Sequence, residues 1–142
     1  PGVRETLLAL RSAGYLNIVA TNQPDVATGK QARKVVDAMH SHIRDTLAVD
    51  EICACFCVEG PDCPCYKPLP GMLLNAAQNW GIDLERSFMV GDRWRDVGAG
   101  RAAGCTTLFI DCGYAEREPE NPDFVVRDLP DAGRVILSLV DI

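Results

Sequence analysis

Short apolar runs alternate with stretches of helical periodicity along almost the whole chain, and this alternation limits the possible folds more than any other feature. Ile18-Val19-Ala20-Thr21, Glu51 to Cys57, Ser87-Phe88-Met89-Val90, Thr106 to Ile110 and Phe124-Val125-Val126 read as buried strands. Between them lie helical stretches. Val3 to Ala13 ends at Gly14, a capping residue. Val35, Val36, Met39, Ile43 and Leu47 recur at helical spacing and predict a long amphipathic helix from Lys30 to Ala48. Pro70 opens a helix that Gly81 ends after Trp80. Asp96 to Ala103 is a weaker helix, because Gly98 and Gly100 disfavour it, and Leu129 to Val140 closes the chain. Gly113 to Pro122 is polar, holds two prolines and reads as a flexible loop. Strands alternating with helices predict an α/β domain built on a parallel sheet. A chain of 142 residues with no internal repeat predicts a single domain, 1–142.

Charge narrows the choice of ligand. Fourteen Lys and Arg against twenty Asp and Glu give a net charge of −6, with no basic run. That balance excludes a sequence-independent nucleic-acid binder, which relies on clustered cations, and disfavours a membrane surface. No apolar run reaches the length of a membrane span and no signal peptide is evident, so a cytoplasmic location is expected. The first residue is Pro1, which reads as a processed, excised or incomplete start. An acidic protein still holds a small phosphate where a few cations and backbone N–H groups converge.

In parallel α/β sheets the working residues lie beyond the carboxyl ends of the strands. Those positions here are Thr21-Asn22-Gln23, the cysteine-containing loop leading to Lys67, Gly91-Asp92-Arg93, and Asp111. A hydroxyl, a lysine and a carboxylate together suit a phosphate and a divalent cation. Singly, each is ordinary turn chemistry; their recurrence at successive strand ends points to function. His40 and His42, two apart in a helix, read as surface or partly buried residues on different faces, and Trp80 and Trp94 as packing residues, with Trp94 placed to border a pocket.

Seven cysteines are unevenly spread: Cys53, Cys55, Cys57, Cys63 and Cys65 cluster, while Cys105 and Cys112 lie far away. An odd total without a signal peptide argues against a secreted disulfide framework. Cys55-Phe-Cys57 and Cys63-Pro-Cys65 are two matched pairs separated by Val58 to Asp62, a loop with Gly60 and Pro61 that allows the pairs to meet. Four thiolates suit a closed tetrahedral zinc, which is structural because no position remains for water. The competing readings are buried free cysteines, which fit Cys53, Cys105 and Cys112, and a nucleic-acid zinc knuckle, for which the loop lacks basic and aromatic residues.

The order of motifs resembles a known family. Thr21-Asn22-Gln23, the paired cysteines, Lys67-Pro68-Leu69-Pro70-Gly71-Met72-Leu73, and Met89-Val90-Gly91-Asp92-Arg93-Trp94-Arg95-Asp96 resemble haloacid dehalogenase-type phosphatases. The likeness is to their zinc-loop branch, which includes heptose bisphosphate and histidinol phosphatases, and the Lys-Pro-x-Pro-Gly-Met-Leu wording is closer to the heptose enzymes. The resemblance implies a Rossmann-like parallel sheet with flanking helices and a zinc-stapled loop, acting on a small phosphorylated metabolite. By the resemblance, Thr21 bonds the transferring phosphoryl group, with Asn22 nearby and Gln23 and Arg93 at the phosphate site. Lys67 neutralises the phosphoryl oxygens, Asp92 binds Mg²⁺, and Asp96 supports Lys67 or the metal shell. Cys55, Cys57, Cys63 and Cys65 take the zinc positions. The implied chemistry is an in-line displacement through an aspartyl-phosphate.

The chain departs from the family pattern in places. Cys57 stands where His is usual, Tyr66 where heptose phosphatases often carry Arg, Arg93 where Lys is common, and Pro24-Asp25 where a small Ser-Gly pair is usual. Losing an Arg fork at position 66 puts recognition of a second phosphate in question. The family's nucleophile and acid/base come from an Asp-x-Asp ending an earlier central strand, and no Asp-x-Asp occurs in these 142 residues. The expectation is a phosphatase domain without its N-terminal strand, with a catalytically silent zinc-stapled ligand- or partner-binding domain as the alternative.

Overall fold

The computed structural model describes residues 2–61 and 63–139, without the Pro24 and Asp25 side chains; the readings above that fall on Pro1, Asp62, Val140 and those two side chains lie outside the described residues. The chain divides into two compact units, Pro1–Tyr66 and Lys67–Ile142. The first unit runs α1 (Val3–Ser12), β1 (Ile18–Asn22), α2 (Pro24–Ala27), α3 (Arg33–Thr46) and β2 (Glu51–Cys55). The second runs α4 (Gly71–Trp80), a 3-10 turn (Leu84–Arg86), β3 (Phe88–Gly91), α5 (Trp94–Ala103), β4 (Thr106–Ile110), β5 (Phe124–Val126) and α6 (Leu129–Leu139). Every strand pairing is parallel: β1 with β2 in the first unit, and β3-β4-β5 in the second.

In the first unit, Asn17 anchors the entry to β1. It is buried, and its Nδ2 donates to the carbonyls of Leu7 and Ala48, each at 2.8 Å, while its backbone N donates to Asp50 Oδ2 at 2.7 Å. Its side-chain amide N–H groups and backbone N–H are thereby satisfied, and α1, β1 and the start of β2 are tied together. Helix α3 is shorter than its periodicity predicts. Gly29 adopts a left-handed φ of +79° between α2 and α3, so the chain turns before Arg33 instead of entering the helix at Lys30. The buried stripe of α3 is Val36 and His40, whereas Val35 and Met39 are 43% and 46% exposed. His40 is thus a buried residue, and only His42 keeps the expected surface position.

In the second unit, Met72, Leu73 and Ala76 from α4, Val97 and Ala99 from α5, Leu108 from β4, Val126 from β5, and Ala132 and Ile136 from α6 form the buried core. Thr107 is fully buried yet satisfied: its N donates to Asp123 Oδ2 at 2.8 Å, and its Oγ1 accepts from Asp123 N at 3.0 Å. The two glycines that weaken α5 as a helix are demanded by packing. A Cβ on Gly98 would lie 2.7 Å from Pro68 Cβ, and one on Gly100 would lie 2.5 Å from Met89 Cβ and 2.9 Å from Thr107 Cγ2. α5 therefore lies close against β3 and β4 at a cost in helix propensity. Trp80, expected to pack, is 43% exposed at the end of α4.

Candidate functional site

In the second unit the site gathers at the carboxyl end of β3. Lys67 Nζ lies 2.5 Å from Asp96 Oδ1, and both side chains are about nine-tenths buried. The other oxygen, Asp96 Oδ2, accepts from Arg93 N at 3.2 Å and so caps the first turn of α5. One carboxylate thus fixes both the lysine ammonium and the turn after β3. Gly91 is required by the same carboxylate, because a Cβ there would collide with the Asp96 side chain. Sequence reading placed Lys67 after the cysteine loop, Asp92 and Arg93 after the β3 run and Asp96 in the helix that follows; the structure pairs Lys67 with Asp96 and ties Asp96 to the Arg93 backbone beside Asp92.

Asp92 follows β3 directly and sits before the N-terminus of α5, where the helix dipole favours negative charge. It is half-buried, and its Oδ2 accepts from Tyr114 Oη at 3.0 Å. Among the described residues, its Oδ1 has no hydrogen-bond partner. A half-buried carboxylate with one oxygen still open fits a hard divalent cation, which takes oxygen ligands.

The loop from Gly113 to Pro122, expected to be flexible, makes side-chain contacts with this turn. Arg93 Nη1 lies 2.8 Å from Glu116 Oε2, and its Cζ sits 4.2 Å from the centre of the Tyr114 ring. The hydrogen bond to Glu116 holds the Arg93 pKa above its ordinary value. The bond to Asp92, together with that carboxylate's charge, raises the pKa of the Tyr114 phenol. Trp94 is flanked by Arg95 and Arg117, with Cζ atoms 4.5 and 4.3 Å from its ring. Asp111, at the end of β4, accepts from Gly113 N at 3.0 Å and shapes the start of the loop. Sequence reasoning missed Tyr114 and Glu116; the only signal was an aromatic and an acid in a polar loop that follows a strand end.

In the first unit, Thr21 and Asn22 end β1, and Asn22 pairs in register with Cys55. Gln23 N donates to the Cys55 carbonyl at 2.7 Å, and its Nε2 donates to Thr21 Oγ1 at 3.0 Å. Gln23 therefore orients the Thr21 hydroxyl from a backbone position that the start of the cysteine loop holds. β2 ends at Cys55, two residues short of the expected Cys57, because the chain bends at Cys57 and brings its Sγ to 3.4 Å from that of Cys55.

The sulfurs of Cys55, Cys57, Cys63 and Cys65 all lie within 4.8 Å of one another. Four of their separations fall between 3.4 and 3.7 Å, and the sulfurs of Cys55 and Cys65, and of Cys57 and Cys63, approach within bonding distance. Tetrahedral zinc with bonds near 2.3 Å sets its sulfurs about 3.8 Å apart. Two independent disulfides give no reason for all four sulfurs to converge at one point. The cluster is one that could hold a single metal ion, and the four cysteines singled out by their spacing are the four that meet. Cys53 is half-buried, Cys105 buried and Cys112 exposed, so only Cys112 departs from the reading as a buried free thiol.

A family model described as HAD-hydrolase-like matches residues 64–132, the segment from the cysteine loop through Lys67 and Asp92 to the start of α6. A D-glycero-beta-D-manno-heptose-1,7-bisphosphate 7-phosphatase of Pseudomonas aeruginosa is 35% identical over 127 residues, covering 86% of this chain and 71% of that protein. The chain belongs to the haloacid dehalogenase-type phosphatase family. A similarly named phosphatase of Pseudomonas putida is 36% identical over 127 residues, covering 84% of this chain and 71% of that protein. Among solved structures of the family, the D,D-heptose 1,7-bisphosphate phosphatase of B. bronchiseptica, crystallised with magnesium and phosphate, superposes with a TM-score of 0.79 at 29% identity. It covers 99% of this chain and 84% of that one.

Proposed function

We propose that this haloacid dehalogenase-type phosphatase chain serves a Mg²⁺-dependent hydrolysis of a phosphomonoester on a small sugar phosphate of the heptose bisphosphate kind. The observation that carries the reading is the Lys67–Asp96 pair set against the Gly91-Asp92 strand end, since it holds a cation and a carboxylate ligand at one carboxyl edge. The names of the relatives supply the substrate class.

In this reading Lys67, held rigid by Asp96, neutralises charge on the transferring phosphoryl oxygens. Thr21, oriented by Gln23, donates its hydroxyl to the phosphoryl group, with Asn22 beside it, and Arg93 contributes at the phosphate. Asp92 would hold Mg²⁺, which would supply charge neutralisation for a phosphoryl group undergoing in-line displacement. The Asp-x-Asp motif that the family resemblance gives for the aspartyl nucleophile does not occur in these 142 residues. Cys55, Cys57, Cys63 and Cys65 hold a structural Zn²⁺ that fixes the loop after β2. A thiolate site and three further free thiols suit the reducing cytoplasm.

The test of substrate class is inorganic phosphate release by the complete protein with Mg²⁺ across a panel of sugar bisphosphates, sugar monophosphates and histidinol phosphate. The sugar bisphosphate is expected to give the highest kcat/KM. Preference for histidinol phosphate, or no release from any sugar phosphate, would overturn this assignment.

A further inference from the structure

Tyr114 lies in the polar loop after β4, outside every motif that marks the family, yet it makes the one side-chain hydrogen bond to the metal-ligand candidate Asp92 among the described residues. We infer that Tyr114 is a positioning residue for the divalent cation: its hydroxyl occupies Asp92 Oδ2 and thereby aims Oδ1 at the ion. The inference rests on the reading of Asp92 as the Mg²⁺ ligand.

The half-exposed Tyr114 ring is packed on one face. The Arg93 guanidinium packs on the Tyr114 ring, 4.2 Å from its centre, and Glu116 in turn fixes Arg93 at 2.8 Å. Arg117 on the Trp94 ring, 4.3 Å from its centre, pins the following stretch of loop to the first residue of α5. These contacts run between the loop and three consecutive residues, Asp92, Arg93 and Trp94, so the tyrosine is fixed relative to the carboxylate it bonds. A free carboxylate rotates about its terminal torsion and presents either oxygen or both to a cation. A carboxylate with one oxygen bonded by a phenol presents the other in one orientation, which lowers the ordering cost of binding the ion. Metal ligands are commonly held by such outer partners, and removing one costs roughly 10–100-fold in metal affinity or activity. The ring stack and the hydroxyl are separable, because Tyr114→Phe keeps the first and deletes only the second.

The test compares the complete protein with its Tyr114→Phe and Asp92→Asn variants. Mn²⁺ binding is followed by electron paramagnetic resonance, Mg²⁺ activation by phosphate release, and folding by thermal unfolding. Tyr114→Phe is expected to keep the wild-type Tm, to bind Mn²⁺ roughly 10-fold more weakly, and to need a correspondingly higher Mg²⁺ concentration for half-activation. Its substrate KM at saturating Mg²⁺ should stay unchanged. A residue that only braced the loop would lower Tm or shift KM without this selective metal effect. Asp92→Asn is expected to lose the site. Loss of Mn²⁺ binding in Asp92→Asn with wild-type binding in Tyr114→Phe would overturn the role of Tyr114 alone. Wild-type binding in both variants would overturn the metal reading of Asp92 and the inference with it.

Discussion

At the scale of single residues, the site depends on one buried carboxylate. Asp96 holds Lys67 with one oxygen and the Arg93 backbone with the other, and it lies so close to the strand end that only glycine fits at position 91. Gly91→Ala forces the Asp96 side chain to move, and overpacking of this kind typically costs about 1–3 kcal/mol. The variant is expected to unfold several degrees below the wild type and to lose phosphatase activity, both measurable on one preparation; an unchanged Tm with full activity would show that the carboxylate has room to spare. The thiols give a second prediction. Burial, and the nearby charge of Glu51, push up the Cys53 thiol, while burial alone pushes up Cys105, so both remain protonated and unreactive at neutral pH. In the native protein, iodoacetamide should label exposed Cys112 first and Cys53 and Cys105 slowly; mass spectrometry of timed digests checks the order. These residue-level facts were only partly legible in the sequence. Gly-Asp at a strand end was visible, but the reason for the glycine is a side chain five positions later, and that proximity exists only once α5 packs on β3.

At the scale of elements, strands and helices could be read wherever a periodic apolar pattern coincided with burial. β4 and β5 have the bounds their apolar runs predict, and α4 stops at Gly81, which takes a left-handed φ of +67°. α3 is where that logic broke down. Val35 and Met39 share the helical spacing with Val36 and Ile43, and spacing alone cannot tell which part of a broad apolar face meets the core. The ties of the Gly113 to Pro122 loop could not be read, because they are charge and aromatic contacts to residues some twenty positions earlier, which leave no periodic trace. The cysteine loop was legible, since matched C-x-C pairs encode their own geometry. Its prediction is metal analysis giving about one zinc per chain, with a chelator lowering Tm and releasing four further thiols to alkylation. Four thiols that a chelator leaves blocked and a reductant frees would show two disulfides instead.

At the scale of the whole molecule, an acidic chain with no basic run carries its cations where they are needed, and Lys67 is the clearest case: a buried ammonium paired with the buried Asp96 carboxylate. No helix among the described residues is long and apolar enough to cross a membrane. Each unit presents polar residues at or just beyond a strand end, Thr21 to Gln23 in one and Asp92-Arg93 in the other, as a parallel α/β sheet requires. That placement could be read from the alternation of strands and helices alone, whereas the hydrogen bonds that orient the residues could not. The measurement that bears most directly on the account is steady-state phosphate release from a heptose bisphosphate by the complete protein, its Lys67→Ala variant and its Asp92→Ala variant, each with and without Mg²⁺. Mg²⁺-dependent release is expected of the wild type, with a fall of roughly 100-fold or more in both variants, the scale on which a preorganised charge stabiliser acts. Near-full turnover in either variant, or release that is indifferent to Mg²⁺, would contradict it.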